Sequence, residues 1–186
     1  MKTFKLIAML FGVSLALLPT MPGSARAASF MMSFQVTGFP ASLGNPAPTD
    51  PVTGSIVWEA AGIHSPIQSF DSINLTLDGH TYSINELGYL PDLSGPPPHD
   101  LIGGNLNGTG IIYNQTDDFW IGWDRNSLQP VDFMYASSQR PGFWYASIYE
   151  PVSFTSFSIT QVPEPSTILL VSLILSGLRK RNRVSS

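Results

Sequence analysis

Ile73-Asn74-Leu75-Thr76-Leu77, then Asp78-Gly79, then His80-Thr81-Tyr82-Ser83-Ile84 is the stretch whose reading decides the fold class. Both flanking runs alternate apolar and polar side chains with a period of two, as half-buried strands do. Asp-Gly between them suits a two-residue type I′ turn, because both central positions of that turn need positive φ. The turn predicts Leu77 opposite His80, Leu75 opposite Tyr82 and Ile73 opposite Ile84 on one face. Thr76 then faces Thr81 and Asn74 faces Ser83 on the other.

Outward from this hairpin the same pattern recurs. Phe30, Met32, Phe34 and Val36 alternate with smaller or polar neighbours in a strand that ends at Gly38, and Ile56 and Trp58 share one face of residues 54–59. Pro40 to Pro51 reads as a loop. Tyr89 to Asp100, with Pro91, Gly95 and three consecutive prolines, reads as a solvated extended loop that cannot be a central strand. Further strands are expected over 110–115, 119–123, 131–136, 143–149 and 152–160. About nine short strands and almost no helix over 28–161 make this an all-β chain, a single antiparallel β-sandwich or jelly-roll-like domain.

The chain has 186 residues, the length of one domain with tails, and no cysteine, which excludes disulfides, thiolate zinc sites and a cysteine nucleophile. Between residues 28 and 162 the only cations besides histidine are Arg125 and Arg140, against twelve carboxylates, a net charge of −10. A binder of phosphate backbones needs a basic footprint, so nucleic acid is excluded as a partner.

The basic residues gather at the two ends. Lys2 and Lys5, an apolar stretch from Leu6 to Leu18, and Ala25-Arg26-Ala27 ahead of Ala28 form the charge, core and small-residue cleavage pattern of a signal peptide over 1–27. Ala25, Ala27 and Ala28 mark the expected signal-peptidase site; an uncleaved N-terminal anchor is the alternative. At the other end, Val162-Pro163-Glu164-Pro165-Ser166-Thr167 leads into an apolar run and then Arg179-Lys180-Arg181-Asn182-Arg183. Ile168 to Leu178 would span roughly 16 Å as a helix against about 30 Å of hydrocarbon, so the expected membrane helix over 166–178 is short and holds weakly. Its basic flank stays cytoplasmic, which puts the β domain outside the cytoplasm. Pro163 and Pro165 keep the junction extended.

These C-terminal features, a Pro-Glu-Pro motif, a short apolar helix and an arginine-rich end in that order, resemble the PEP-CTERM sorting signal over residues 162–186. The resemblance implies that Pro163, Glu164 and Pro165 are read by an exosortase, a membrane transpeptidase-like enzyme. It implies that Arg179, Lys180, Arg181 and Arg183 act as the membrane stop. It also implies a bacterium with an outer membrane and extracellular polysaccharide, and a protein held briefly at the inner membrane before reaching the cell surface or medium. An ordinary tail anchor is the other reading of the same residues.

For the domain itself the expectation is a structural or adhesive role without catalysis. No nucleophile elbow, phosphate loop or zinc-protease helix occurs, and neither cofactor nor metal is expected. His64, His80 and His99 are too scattered for a spaced metal motif, with His80 expected as a partly buried cap and His99 as an exposed loop residue. Asp117, Asp118, Asp124 and Asp132 could meet at one edge and hold calcium; solvated turn aspartates are the alternative. Trp120, Trp123 and Trp144 are candidate sugar contacts, because flat aromatic faces stack on the C–H faces of sugar rings and the indole edge offers a donor. That gives the runner-up, a carbohydrate-binding module for extracellular polysaccharide. A polysaccharide hydrolase is the third reading.

Overall fold

The computed structural model describes residues 27–92, 99–104, 112–148 and 153–163. Among these, ten strands run in chain order as β1 (Ala28–Thr37), β2 (Val52–Ala60), β3 (Ile67–Leu77), β4 (His80–Thr81), β5 (Leu87–Asp92), β6 (His99–Gly104), β7 (Phe119–Asp124), β8 (Pro130–Tyr135), β9 (Trp144–Ser147) and β10 (Ser153–Gln161). They form two five-stranded antiparallel sheets, ordered β10-β1-β2-β3-β4 and β5-β6-β7-β8-β9. The second sheet is a plain meander. The first is a meander whose outer place beside β1 is taken by the returning β10, so the order is not the pair of Greek keys that makes a jelly roll.

Alternation along the strands supplies the core between the sheets. Phe30, Met32, Phe34 and Val36 of β1, Ile56 and Trp58 of β2 and Leu75 and Leu77 of β3 are buried, and so are Phe119, Ile121 and Trp123 of β7, Phe133 and Tyr135 of β8 and Trp144 of β9. Phe133 sits at the middle, its ring centroid 5.6 Å from Phe34, 6.0 Å from Phe39 and 6.2 Å from Phe119. Trp58 and Trp123 meet across the layers at 6.0 Å. Each such side chain contributes about 1.5 to 3 kcal/mol on burial, which drives the sheets together without fixing how they align.

Alignment comes from the Asp78-Gly79 turn. Asp78 and Gly79 have φ of 45° and 86°, the positive pair expected of a type I′ turn. The Asp78 N–H donates to Thr49 Oγ1 at 2.8 Å, and its carbonyl accepts from Gln139 Nε2 at 2.8 Å. Its carboxylate accepts from Ser137 Oγ at 2.5 Å and from Arg140 Nε and a terminal nitrogen at 3.1 and 3.2 Å. Thr49 is tied in turn to the Tyr135 hydroxyl, which donates to its carbonyl at 2.8 Å. One turn of the first sheet is thereby fastened to the β8–β9 connection of the second.

The hairpin is shorter than its alternation suggested. The ladder holds Thr76 opposite Thr81 and Leu77 opposite His80, and Tyr82 N–H still reaches Leu75 O at 3.1 Å. Ile73 does not face Ile84, nor Asn74 Ser83, because Ser83 opens a 3₁₀ turn, Ile84–Glu86. Ser83-Ile84-Asn85-Glu86 is a capping box, with Ser83 N–H and Oγ both donating to Glu86 Oε2 at 2.8 Å. That local bonding outcompetes the ladder and leaves Ile84 exposed.

Other expectations also shift. Much of the supposed loop from Tyr89 to Asp100 is hairpin, β5 pairing with β6 from Leu87 opposite Gly104 to Asp92 opposite His99. Pro91 is tolerated because β5 is a sheet edge, where a missing N–H faces outward. His99 accordingly lies in a strand rather than a loop. The strand expected over 110–115 is absent from 112–115, where Gln115 adopts φ of 62° and Thr116 Oγ1 donates back to Tyr113 O at 2.6 Å. Among the described residues no helix is long and apolar enough to cross a membrane.

Asp78→Ala removes the carboxylate that Arg140 and Ser137 hold and places a β-carbon without a compensating polar group at positive φ. Urea unfolding is expected to show a loss of about 2 to 4 kcal/mol, with Asp78→Asn losing roughly half as much because asparagine tolerates the turn.

Candidate functional site

The residues of the second sheet that point away from the core form two rows across its five strands. One runs Gly88, Gly103, Trp120, Met134, Tyr145, and the other Leu90, Leu101, Gly122, Asp132, Ser147. Trp120 therefore has two glycines beside it toward β5, which leaves that flank of the indole clear of neighbouring side chains in its row. Met134 and Tyr145 continue the row on the other flank, all three half-buried.

Asp132 lies over Gly122. A β-carbon on that glycine would sit 2.5 Å from Asp132 Oδ1 and 3.0 Å from Leu101 Cδ2, so only glycine lets the carboxylate cross β7. The Tyr145 hydroxyl donates to Asp132 Oδ2 at 3.5 Å. Asp132 Oδ1 and Trp120 Nε1 are both buried atoms without a hydrogen-bond partner among the described residues. Burial raises the Asp132 pKa, opposed by the charge of His99 and by the nearby Tyr145 hydroxyl and Trp120 N–H. The indole N–H is thus close enough to favour the carboxylate yet misses hydrogen-bond geometry. Both atoms are sealed from solvent, so what this face offers a ligand is the half-buried indole, whose flat surface takes an apolar C–H face.

A second polar cluster closes one end of the sandwich. His80 Nε2 is 2.8 Å from Glu86 Oε1 and His80 Nδ1 is 4.0 Å from Asp117 Oδ2. The imidazole stands edge-on to Tyr82 at 4.6 Å, and Tyr82 edge-on to Phe119 at 4.8 Å. His80 is therefore the partly buried cap that the sequence suggested. Behind it Asp118 is 1% exposed. Its Oδ1 accepts the Phe119 N–H at 2.8 Å, but among the described residues its Oδ2 has no partner, and neither has the Tyr82 hydroxyl. Burial pushes the Asp118 carboxyl up to about 7, against the pull of the Phe119 N–H. Burial and the charges of Asp118, Asp117 and Glu86 likewise raise Tyr82. Gly104 makes room for this carboxylate, since a β-carbon there would collide with Asp118 Oδ1.

Of the three tryptophans singled out from sequence, only Trp120 is on an outer face. Trp123 and Trp144 are 2% and 0% exposed and belong to the core; Trp144 packs 5.2 Å from Tyr135 and donates from Nε1 to Asn45 O at 3.3 Å. They are corrected from sugar contacts to packing residues. Asp132 and Tyr145 are the site residues that their own sequence context does not reveal; the parity of β7, β8 and β9 would have found them had the register been known. The four aspartates weighed for calcium do not converge. Asp118 is inside one end and Asp132 on the outer sheet face, Asp124 caps its own turn by accepting from the Asn126 and Ser127 N–H groups, and Asp117 accepts from the Ser138 N–H. Among the described residues no three His, Asp or Glu side chains are arranged to hold a metal ion.

At the termini, Ala27 precedes β1 and Ala28 opens it, while Val162 donates its N–H to Ser29 O at 2.8 Å and Pro163 follows. Ala25, Glu164, Pro165, the apolar run 166–178 and the basic residues Arg179, Lys180, Arg181 and Arg183 lie outside the described residues. No family model, curated protein or solved structure matches the chain.

The Asp118 carboxyl has a raised folded pKa, so between about pH 4, where it ionises in the unfolded chain, and about 7 the folded state holds a proton that the unfolded state has released. Its contribution to stability is complete below pH 4 and is lost as pH rises to 7. Asp118→Asn is neutral and keeps the Phe119 bond. It is expected to flatten the fall in urea-unfolding stability between pH 5 and pH 8 and to exceed the parent at pH 8; an unchanged slope contradicts the assignment.

Proposed function

We propose that this is an exported bacterial protein sorted through a PEP-CTERM-like signal, with a non-catalytic β-sandwich as its structural or adhesive passenger. Signal peptidase removes residues 1–27, and the segment from 162 onward holds the domain outside the inner membrane until an exosortase-like transpeptidase acts at Pro163-Glu164-Pro165. The product then resides at the cell surface or in the extracellular polysaccharide matrix. The reading is carried by the order of elements at the C-terminus: the Pro-Glu-Pro motif, the apolar run of eight Ile, Leu or Val residues over 168–178 and the basic end. The motif directly follows the β domain: among the described residues Val162 is the last bonded to β1, and Pro163 comes next.

A second reading, a carbohydrate-binding module, is favoured by the half-buried Trp120 indole on the outer sheet face, flanked by Gly103 and Gly88. Both readings place the protein in the same compartment.

Intact-mass measurement of protein recovered from cells and medium tests the sorting reading. The expected mass lacks residues 1–27 and the segment beyond Pro165, and deletion of 163–165 is expected to leave the tail in place; a tail retained in the unaltered protein makes the segment a plain anchor. For the sugar reading, a glycan array probed with the recovered protein is expected to show binding that Trp120→Ala abolishes, and silence of the parent protein counts against it.

A further inference from the structure

The four outer edges of the two sheets are not alike. β4 is two residues long and β9 four. The edge strand β5 carries Pro91 and Asp92, and the part of β3 that runs past β4 carries Asp71 and is broken by two irregularities against β2. Short length, proline, charge and bulges are the devices by which sheet edges avoid further pairing.

β10 has little of this. Its nine residues, Ser153-Phe154-Thr155-Ser156-Phe157-Ser158-Ile159-Thr160-Gln161, contain no charge and no proline. One irregularity lies near its start, beyond which Ser156 to Gln161 pair regularly with β1. Among the described residues no strand pairs with its outer side. Phe157 and Ile159 lie opposite Phe34 and Met32, which are 2% and 0% exposed, yet are themselves only half-buried, no described strand lying beyond them in the sheet. Ser156, Ser158 and Thr160 are exposed on the other face.

The strand is also complementary to itself. An antiparallel copy must match residues whose numbers sum to an even value if core-facing side chains are to stay on the core side. Centring on Ser158 puts Phe157 opposite the second copy's Ile159, Ser156 opposite its Thr160 and Ser158 opposite itself. Apolar meets apolar, hydroxyl meets hydroxyl, and the irregular start of the strand is not used. Charge points to the same occupant. A domain of net charge −10 draws cationic partners to its carboxylates, whereas this strip offers them nothing and lets two like-charged copies approach along an uncharged line.

We propose that the free edge of β10 pairs antiparallel with β10 of a second copy of this chain, about a two-fold axis at Ser158, joining the two first sheets into one. The backbone groups of the edge supply the attachment and the Phe157 and Ile159 pair supplies burial, as in other cases of strand addition.

The full-length chain, which has no native cysteine, allows a direct test. Opposed residues of an antiparallel pair have β-carbons about 4.5 to 5.5 Å apart, close to the span of a disulfide at about 3.5 to 4.5 Å. Under mild copper-catalysed oxidation, Ser158→Cys is expected to give a covalent dimer at least tenfold more abundant than Asn74→Cys, on the outer face of β3. Ser156→Cys mixed with Thr160→Cys is expected to cross-link where neither does alone. Ser158→Lys is expected to return the protein to a monomer by light scattering, with an unfolding midpoint that no longer rises with protein concentration. Cross-linking of Ser158→Cys no greater than that of Asn74→Cys, or a product whose mass includes a different protein, overturns the proposal.

Discussion

The Asp78 carboxylate is the point on which the arrangement of the two sheets depends. Hydrophobic burial is non-directional and would accept many relative positions of two apolar sheet faces. Asp78 selects one. It sits at positive φ in a tight turn of the first sheet, and every polar group it has is engaged from elsewhere: its N–H by Thr49, its carbonyl by Gln139, and its carboxylate by Ser137 and Arg140. Thr49 passes the constraint to Tyr135, whose ring packs 5.3 Å from Phe39 and 5.2 Å from Trp144. The turn that ends one strand pair thus also sets how the aromatic core interleaves.

Arg125 works in a comparable way at the other end. Its guanidinium donates from Nε to Asp100 Oδ2 at 2.8 Å and from a terminal nitrogen to Asp100 Oδ1 and the Tyr89 hydroxyl, while its carbonyl accepts from His64 Nδ1 of the β2–β3 loop at 2.6 Å. Both arginines of the domain are taken up as internal ties, Arg125 to Asp100 and Arg140 to Asp78. The polar groups that the fold leaves unanswered then fall in two places with different consequences. Asp118 and Tyr82 are enclosed, where only a proton can relieve the carboxylate. Trp120 Nε1 and Asp132 Oδ1 are sealed beneath a sheet face on which the indole itself stays half-buried.

Much of this was legible in the residues. The Asp-Gly turn, the alternation in β1 and β2 and the lack of long helix among the described residues all follow from local pattern, because a period of two and a positive-φ dipeptide are set by backbone sterics alone. The tie between Asp78 and Arg140 was not, since it joins residues 62 apart in the chain. The extent of the hairpin was misjudged because Ser83 and Glu86 form a local bond that competes with the ladder. Proline misled at Pro91, where an edge position removes the objection to it. Among the tryptophans, alternation separated Trp120 from Trp123 but could not say which faced inward; only pairing with Met134 and Gly103 puts Trp120 outside and makes Asp132 its neighbour. The ends of the chain speak through composition and order, which need no tertiary contact to be read.

Native-state hydrogen exchange tests the central claim, that the turn at Asp78 makes two sheets into one cooperative unit. The slowest amides of β2 in the first sheet and of β7 and β8 in the second are predicted to exchange through the same global opening, with equal free energies and equal dependence on denaturant. Amides of β2 that open at a distinctly lower free energy than those of β7 and β8, with a smaller denaturant dependence, would show that the sheets separate or melt independently and that Asp78 does not bind them into one unit.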